Sequence, residues 1–171
     1  IFRHNPVTGI GGDSLVGGLI ERNIIHGNGA QGADGAAANG GGIKLTQAGS
    51  VDRPVVVHDN ELYDNKKIAI WCDLACKGME ISDNYIHDHL SRGVMFELSS
   101  NLVVRGNTFL RSNTWTDFRG DFNAGAVTIG ESANALVENN RIDTAEAGVV
   151  IRQTKRPYRG ENLTIYSGLT W

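Results

Sequence analysis

The sequence predicts an all-β fold: a single-stranded right-handed parallel β-helix, a solenoid of about six to seven coils with three short strands in each. Three observations predict it. An asparagine recurs three residues after an aliphatic residue along most of the chain, the alternating segments around it run for only three to five residues, and 22 glycines stand against 3 prolines. A fixed period of 20 to 50 residues marks a solenoid, and segments this short form strands rather than stable helices.

The first strand of each coil runs into the asparagine. Leu19 to Asn23, Val56 to Asn60, Glu80 to Asn84, Val103 to Asn107 and Leu136 to Asn140 share the pattern; Phe2 to Asn5 opens the series and Leu163 to Gly168 closes it with glycine in the slot. Slots 84 and 107 set a unit of 23 residues, and wider spacings mark insertions. Asparagine tolerates left-handed backbone and its amide bonds neighbouring backbone, which suits a sharp corner repeated in every coil.

A second strand follows the corner, as in Thr108-Phe109-Leu110, and a third follows a variable loop, as in Gly93-Val94-Met95-Phe96-Glu97. Aligned units give three inward columns: Ile20, Val57, Ile81, Val104, Val137 and Ile165; then Ile25, Leu62, Ile86, Phe109 and Ile142; then Ile43, Ile70, Val94, Ala126 and Val149. Each strand triplet buries its apolar edge only by stacking on its copies, so the core is linear.

The 171 residues are read as one β-helix domain, 1–171, and the start at Ile1-Phe2-Arg3 as an internal piece of a longer or processed chain. A net charge of −3 with scattered basic residues gives no footprint for nucleic acid or an anionic membrane, and no apolar run is long enough to span a bilayer. Cys72 and Cys76 are too few for a disulfide scaffold or a structural zinc site. Cys72 falls on an inward position and is read first as a buried thiol, with a local disulfide to Cys76 as the alternative. Uncapped end coils would self-associate through their open strand edges.

The aliphatic-x-x-Asn corner followed by a glycine-aliphatic strand resembles the parallel β-helix repeat family, which includes pectate lyases, pectin-cleaving hydrolases and alginate epimerases. The resemblance runs from Asn5 to Gly168 and is specific for the fold but not for one activity. Ala69-Ile-Trp-Cys-Asp73 and Gly93-Val-Met-Phe-Glu97 also look like an uncharacterised subgroup with an aromatic and an acid in these strands. The resemblance implies a polysaccharide or oligosaccharide partner and a secreted, periplasmic or cell-surface setting. The clustered Asp-Asp and Gly-His-Gly of pectin hydrolases and the Asp-Pro-His of mannuronan epimerases are missing from the sequence.

The third strand carries the candidate chemistry, because period two fixes which residues leave the core. One outward column is Lys44, Trp71, Met95, Val127 and Val150; the other is Thr46, Asp73, Glu97, Ile129 and Arg152. Asp73 and Glu97 are thus neighbours in adjacent coils, ~4.8 Å apart at the backbone with carboxyl groups within roughly 4 to 7 Å. Such a pair repels, which raises one pKa unless a cation intervenes. It suits acid and nucleophile roles on a glycosidic bond, or calcium held through hard oxygen ligands.

Trp71 offers a ring on which a pyranose stacks, and Lys44 and Arg152 offer cations to a uronate. The insertions 27–42 and 111–124 border the same face, and Trp115 with Asp117 and Arg119 in the second of them suits a sugar clasp. His87 and His89 precede that edge, and His89 is assigned an assisting base role. The leading expectation is a polysaccharide lyase or glycoside hydrolase. The alternative is a non-catalytic carbohydrate-binding, adhesin or structural solenoid, with the acids solvated and Lys44 and Arg152 only distant partners.

Overall fold

The computed structural model describes residues 1–30, 40–112, 125–143 and 147–153. The first coil holds β1 (Phe2–Arg3) and β2 (Thr8–Asp13), and the second β3 (Gly18–Glu21), β4 (Ile24–His26) and β5 (Gly41–Thr46). The third coil holds β6 (Val55–His58), β7 (Glu61–Tyr63) and β8 (Ile68–Asp73), and the fourth β9 (Met79–Ser82), β10 (Tyr85–His87) and β11 (Val94–Glu97). β12 (Ser100–Arg105), β13 (Thr108–Leu110) and β14 (Val127–Gly130) form the fifth, and β15 (Ala133–Glu138), β16 (Arg141–Asp143) and β17 (Val149–Arg152) the sixth.

Each strand pairs in parallel with its counterpart one coil away, which makes three sheets. The first sheet is β3-β6-β9-β12-β15, the second β1-β4-β7-β10-β13-β16 and the third β2-β5-β8-β11-β14-β17. This is the parallel β-helix that the repeat predicts. Two inward columns stand as read: Ile20, Val57, Ile81, Val104 and Val137 pair in register in the first sheet, and Ile25, Leu62, Ile86, Phe109 and Ile142 in the second. Ile165 and Gly168 lie outside the described residues.

The third column needs one correction. Val94 pairs with Val127, not Ala126, and Val127 pairs with Val149. The outward partners in β14 are therefore Thr128 and Gly130, in place of the expected Val127 and Ile129. The slip has a physical cause: the position before the inward aliphatic takes any small residue, here Gly42, Ala69, Gly93, Ala126 and Gly148 in turn, so aligning on glycine displaced one coil. A Cβ at Gly93 would stand 2.7 Å from the Ala126 carbonyl oxygen and 2.7 Å from Phe109.

Side-chain ladders hold the corners. At the first corner the backbone N–H and amide of Asn60 both donate to Asn84 Oδ1 at 3.0 Å, and those of Asn84 to Asn107 Oδ1 at 2.9 Å. Asn23, Asn107 and Asn140 continue the row. Pairing such buried groups removes a desolvation cost of about 1–3 kcal/mol each. Asn5 belongs elsewhere: it donates to Asn28, and Asn28 to Asn65, so it opens the second corner's ladder rather than the first's. The left-handed residue is not the asparagine but the one before it, as at Arg22, Asp59, Asp83 and Asn139.

Cys72 and Cys76 form a disulfide, which overturns the buried-thiol reading. Cys72 does point inward, stacked between Leu45 and Phe96. The bridge closes the turn through Leu74 and Ala75, which are both left-handed.

Candidate functional site

The outer side of the third sheet carries two polar or mixed columns. In register they read Gly11, Lys44, Trp71, Met95, Thr128, Val150 and Asp13, Thr46, Asp73, Glu97, Gly130, Arg152. Asp73 and Glu97 are direct neighbours in adjacent coils and both point away from the core, as the alternation predicts.

The surroundings of that pair differ from expectation. Glu97 is only 3% exposed and Trp71 7%, so this face is covered at its centre although it lies outside the solenoid core. Trp71, Met95 and Ile68 form a second apolar cluster there. Neither acid is solvated. Lys44 Nζ donates to Asp73 Oδ2 at 2.8 Å, and both side chains are 14% exposed. The ammonium also sits over the Trp71 ring, 2.9 Å from its centroid. Burial pushes the Lys44 ammonium below its ordinary range, against the hydrogen bond and charge of Asp73, which pull it up.

Arg152 is the second cation. Its Nη2 lies 3.2 Å from Glu131 Oε2 and 3.6 Å from Glu97 Oε1. Glu97 is two coils away, and Gly130 stands between them in the ladder. With no side chain at Gly130, nothing separates the guanidinium from Glu97; a Cβ there would lie 3.5 Å from Arg152 Nη2 and 4.0 Å from Glu97 Cγ. Lys44 and Arg152 are therefore direct partners of the acids, not distant ones. The Trp71 indole N–H and Arg152 Nε are buried with no hydrogen-bond partner.

Four assignments change. Trp71 is not an open platform for a sugar ring, because Lys44 occupies one face and the ring is nearly buried. The calcium reading does not fit the donor set: each carboxylate already faces a cation, and among the described residues no group of three His, Cys, Asp or Glu side chains is placed to hold a metal.

His89, the third changed assignment, is fully buried at the second corner, in the slot that Asn5, Asn28 and Asn65 fill in earlier coils. Its Nε2 faces the Leu62 carbonyl oxygen at 3.1 Å and its Nδ1 that of Asn65 at 3.4 Å. Burial pushes it down to about 4, so it is neutral at pH 7 and reaches no solvent-borne substrate. The fourth is Arg152, which holds two protein carboxylates, so a uronate meets it already engaged.

His87 lies on the outer side of the second sheet, stacked on Tyr63 and Tyr85 and bonded to Asp88 and Glu61. It is the register equivalent of His26, with Tyr63 between them. Arg111 grips Asp88 through two hydrogen bonds and with His87 holds that carboxyl well below the carboxylate range. Trp115, Asp117 and Arg119 lie outside the described residues.

Sequence reading missed Glu131, Gly130 and Asp13. Glu131 sits at the left-handed corner residue after β14, where Ser14, Gln47, Leu74 and Leu98 stand in other coils, so the strand pattern gave no reason to select it. Asp13 continues the acid column at the exposed end and accepts a hydrogen bond from Thr46 Oγ1. Extending the column by one coil would have found it.

The arrangement holds two cation-centred clusters on one face: Lys44 with Asp73, both 14% exposed, and Arg152, 27% exposed, with the buried carboxylates of Glu97 and Glu131. A family model described as the right handed beta helix region matches residues 1–142. The chain belongs to that family. Neither curated proteins nor solved structures give a match.

Proposed function

We propose that this right-handed β-helix protein acts on an acidic polysaccharide at the outer face of its third sheet, with the Lys44–Asp73 pair as the reacting centre. One observation carries this reading: a desolvated ammonium held 2.8 Å from a carboxylate, over an indole ring, beside a second cation-paired acid. Of the two reaction classes expected, elimination fits better than hydrolysis. Hydrolysis asks for one protonated carboxyl as general acid. Here each carboxyl group is held by a cation, Asp73 by Lys44 and Glu97 by Arg152, so neither is placed to hand a proton to a leaving oxygen.

Elimination asks for a base that takes the proton α to the uronate carboxyl while the bond from the β carbon to the glycosidic oxygen breaks, leaving a carbon–carbon double bond. Lys44, whose ammonium is disfavoured by burial, suits the base once its proton has passed to solvent: the neutral amine takes the α proton, and the ammonium so formed gives a proton to the departing oxygen, with Asp73 orienting the nitrogen. The disulfide supports an oxidising, extracytoplasmic setting.

Incubating the protein with polyuronates and with neutral glycans, and following the ultraviolet absorbance of unsaturated uronate ends, tests the proposal. Unsaturated products are expected from polyuronates alone, and Lys44→Met or Asp73→Asn should lower the rate by about 10²-fold or more. Products without unsaturation, or rates indifferent to both substitutions, would remove the assignment.

A second reading, glycan binding without turnover, is favoured by the closure of the Glu97 end of the strip. Saturable binding of a polyuronate with no product after prolonged incubation would select it.

A further inference from the structure

The first sheet bears a separate feature. Sixteen non-glycine residues among the described ones have left-handed backbone, and all but two stand in the turns at the solenoid's corners. The two are Asn101, with φ 61°, and Asn134, with φ 54°. They occupy the same place in adjacent coils: β12 pairs with β15 at Ser100–Ala133 and again at Leu102–Ala135, with the asparagines between. Left-handed bulges within a ladder re-aim side chains and recur beside functional sites.

Both asparagines line a groove of about 490 Å³. Its other walls include Val51 and Pro54 from the turn before β6, Glu80 from β9, and Val103 and Leu136 from the outward column. Val51 is 69% and Leu136 48% exposed, so the apolar wall is open to solvent.

The polar groups in this groove are ordered by hydrogen bonds among themselves, with some capacity left over. Asn134 Nδ2 donates to Asn101 Oδ1 at 3.2 Å, and Asn101 Nδ2 donates to the Lys77 carbonyl oxygen and Ser100 Oγ. Asn134 Oδ1 receives no hydrogen bond from the described residues. Arg105 Nη2 takes Glu80 Oε1 at 2.7 Å and leaves Oε2 open. The open groups are the acceptors Asn134 Oδ1 and Glu80 Oε2 and the second N–H of Asn134 Nδ2, so the ligand must bring groups that donate and accept, as hydroxyls do, together with an apolar face. Two of its three strands, β9 and β12, are paired on both sides, so over them a strand-forming peptide meets side chains rather than an open ladder edge. Glu80 is already paired with Arg105, and among the described residues no cation lines the groove, so an anionic chain finds no countercharge there.

We propose that the groove over the first sheet is a binding site for a neutral saccharide chain, its hydroxyl groups donating to Asn134 Oδ1 and Glu80 and its ring faces resting on Val51, Val103 and Leu136. This site is independent of the third-sheet strip and calls for a different sugar charge.

The test is a ¹⁵N NMR titration of the side-chain amides with mannotetraose, cellotetraose, xylotetraose and maltotetraose at millimolar concentration, and with tetragalacturonate as the anionic comparison. At least one neutral tetrasaccharide should shift the Asn101 and Asn134 amide signals saturably, and tetragalacturonate should not. Asn134→Gly keeps the left-handed backbone while removing the amide, and Leu136→Ser removes apolar wall at an exposed position. Each should weaken binding by about tenfold, with Asp73→Asn leaving it unchanged. No amide shift from any of the four neutral chains, or equal affinity in Asn134→Gly and Leu136→Ser, overturns the proposal.

Discussion

The outer faces of the first and third sheets are built by the same period-two rule, yet they carry charge under opposite conditions. On the first sheet Arg105 pairs with Glu80 at 2.7 Å with side chains 52% and 25% exposed. On the third, Arg152, 27% exposed, meets Glu97 and Glu131 whose side chains are 4% and 1% exposed. An ion pair at an exposed surface is worth little, whereas a buried one is costly to break because it leaves an unpaired charge in a poor solvent. The same residue types therefore form a solvent-exposed pair on one face and a largely desolvated arrangement on the other.

The largest effect should come from breaking the closed pair. Arg152→Ala leaves Glu97 and Glu131 without their guanidinium and should destabilise the fold by about 3 kcal/mol, read from the midpoint of urea unfolding. A change below ~1 kcal/mol would erase the contrast between the two faces.

His89 sharpens the contrast from another direction, since it is fully buried and its two ring nitrogens face the carbonyl oxygens of Leu62 and Asn65. Its folded value of about 4 lies below the ordinary 6.5. Between those values the unfolded chain binds the extra proton, so stability is complete above about pH 6.5 and falls as pH drops toward 4. The full loss is about 3 kcal/mol at most. Urea melts at pH 7 and pH 4.5 should show it, and His89→Asn, which restores the residue of the preceding corners, should flatten much of the dependence.

An intermediate case is the Lys44–Asp73 pair, with both side chains 14% exposed. Lys44→Met keeps the stem on Trp71 but strands Asp73 at the edge of solvent, and about 1–2 kcal/mol of stability should go. Smallest of all, Arg105→Ala on the first sheet should move stability by no more than ~0.5 kcal/mol.

Side-chain direction was legible in the sequence, and side-chain exposure was not. Alternation put Asp73 beside Glu97 and Lys44 beside Trp71 because pleating forces it. It carries no information on what lies over an outward residue, so a buried Glu97 and an occupied Trp71 face were invisible. Glu131 escaped because it belongs to a turn, and its partner Arg152 reaches Glu97 only through the side chain missing at Gly130, a contact across two coils. The slip at β14 arose where alanine replaces glycine in the small-residue slot. His89 was misread because its corner slot holds asparagine in earlier coils, and one histidine in such a place looks like chemistry rather than a ladder rung.

The claim that the Lys44–Asp73 strip is where the polymer is handled is tested most directly by a crystal structure of the protein soaked with a uronate oligosaccharide. The account predicts sugar density on the third sheet within hydrogen-bond distance of Lys44 Nζ or Asp73. Density confined to another face, with the Lys44–Asp73 pair untouched, would contradict it.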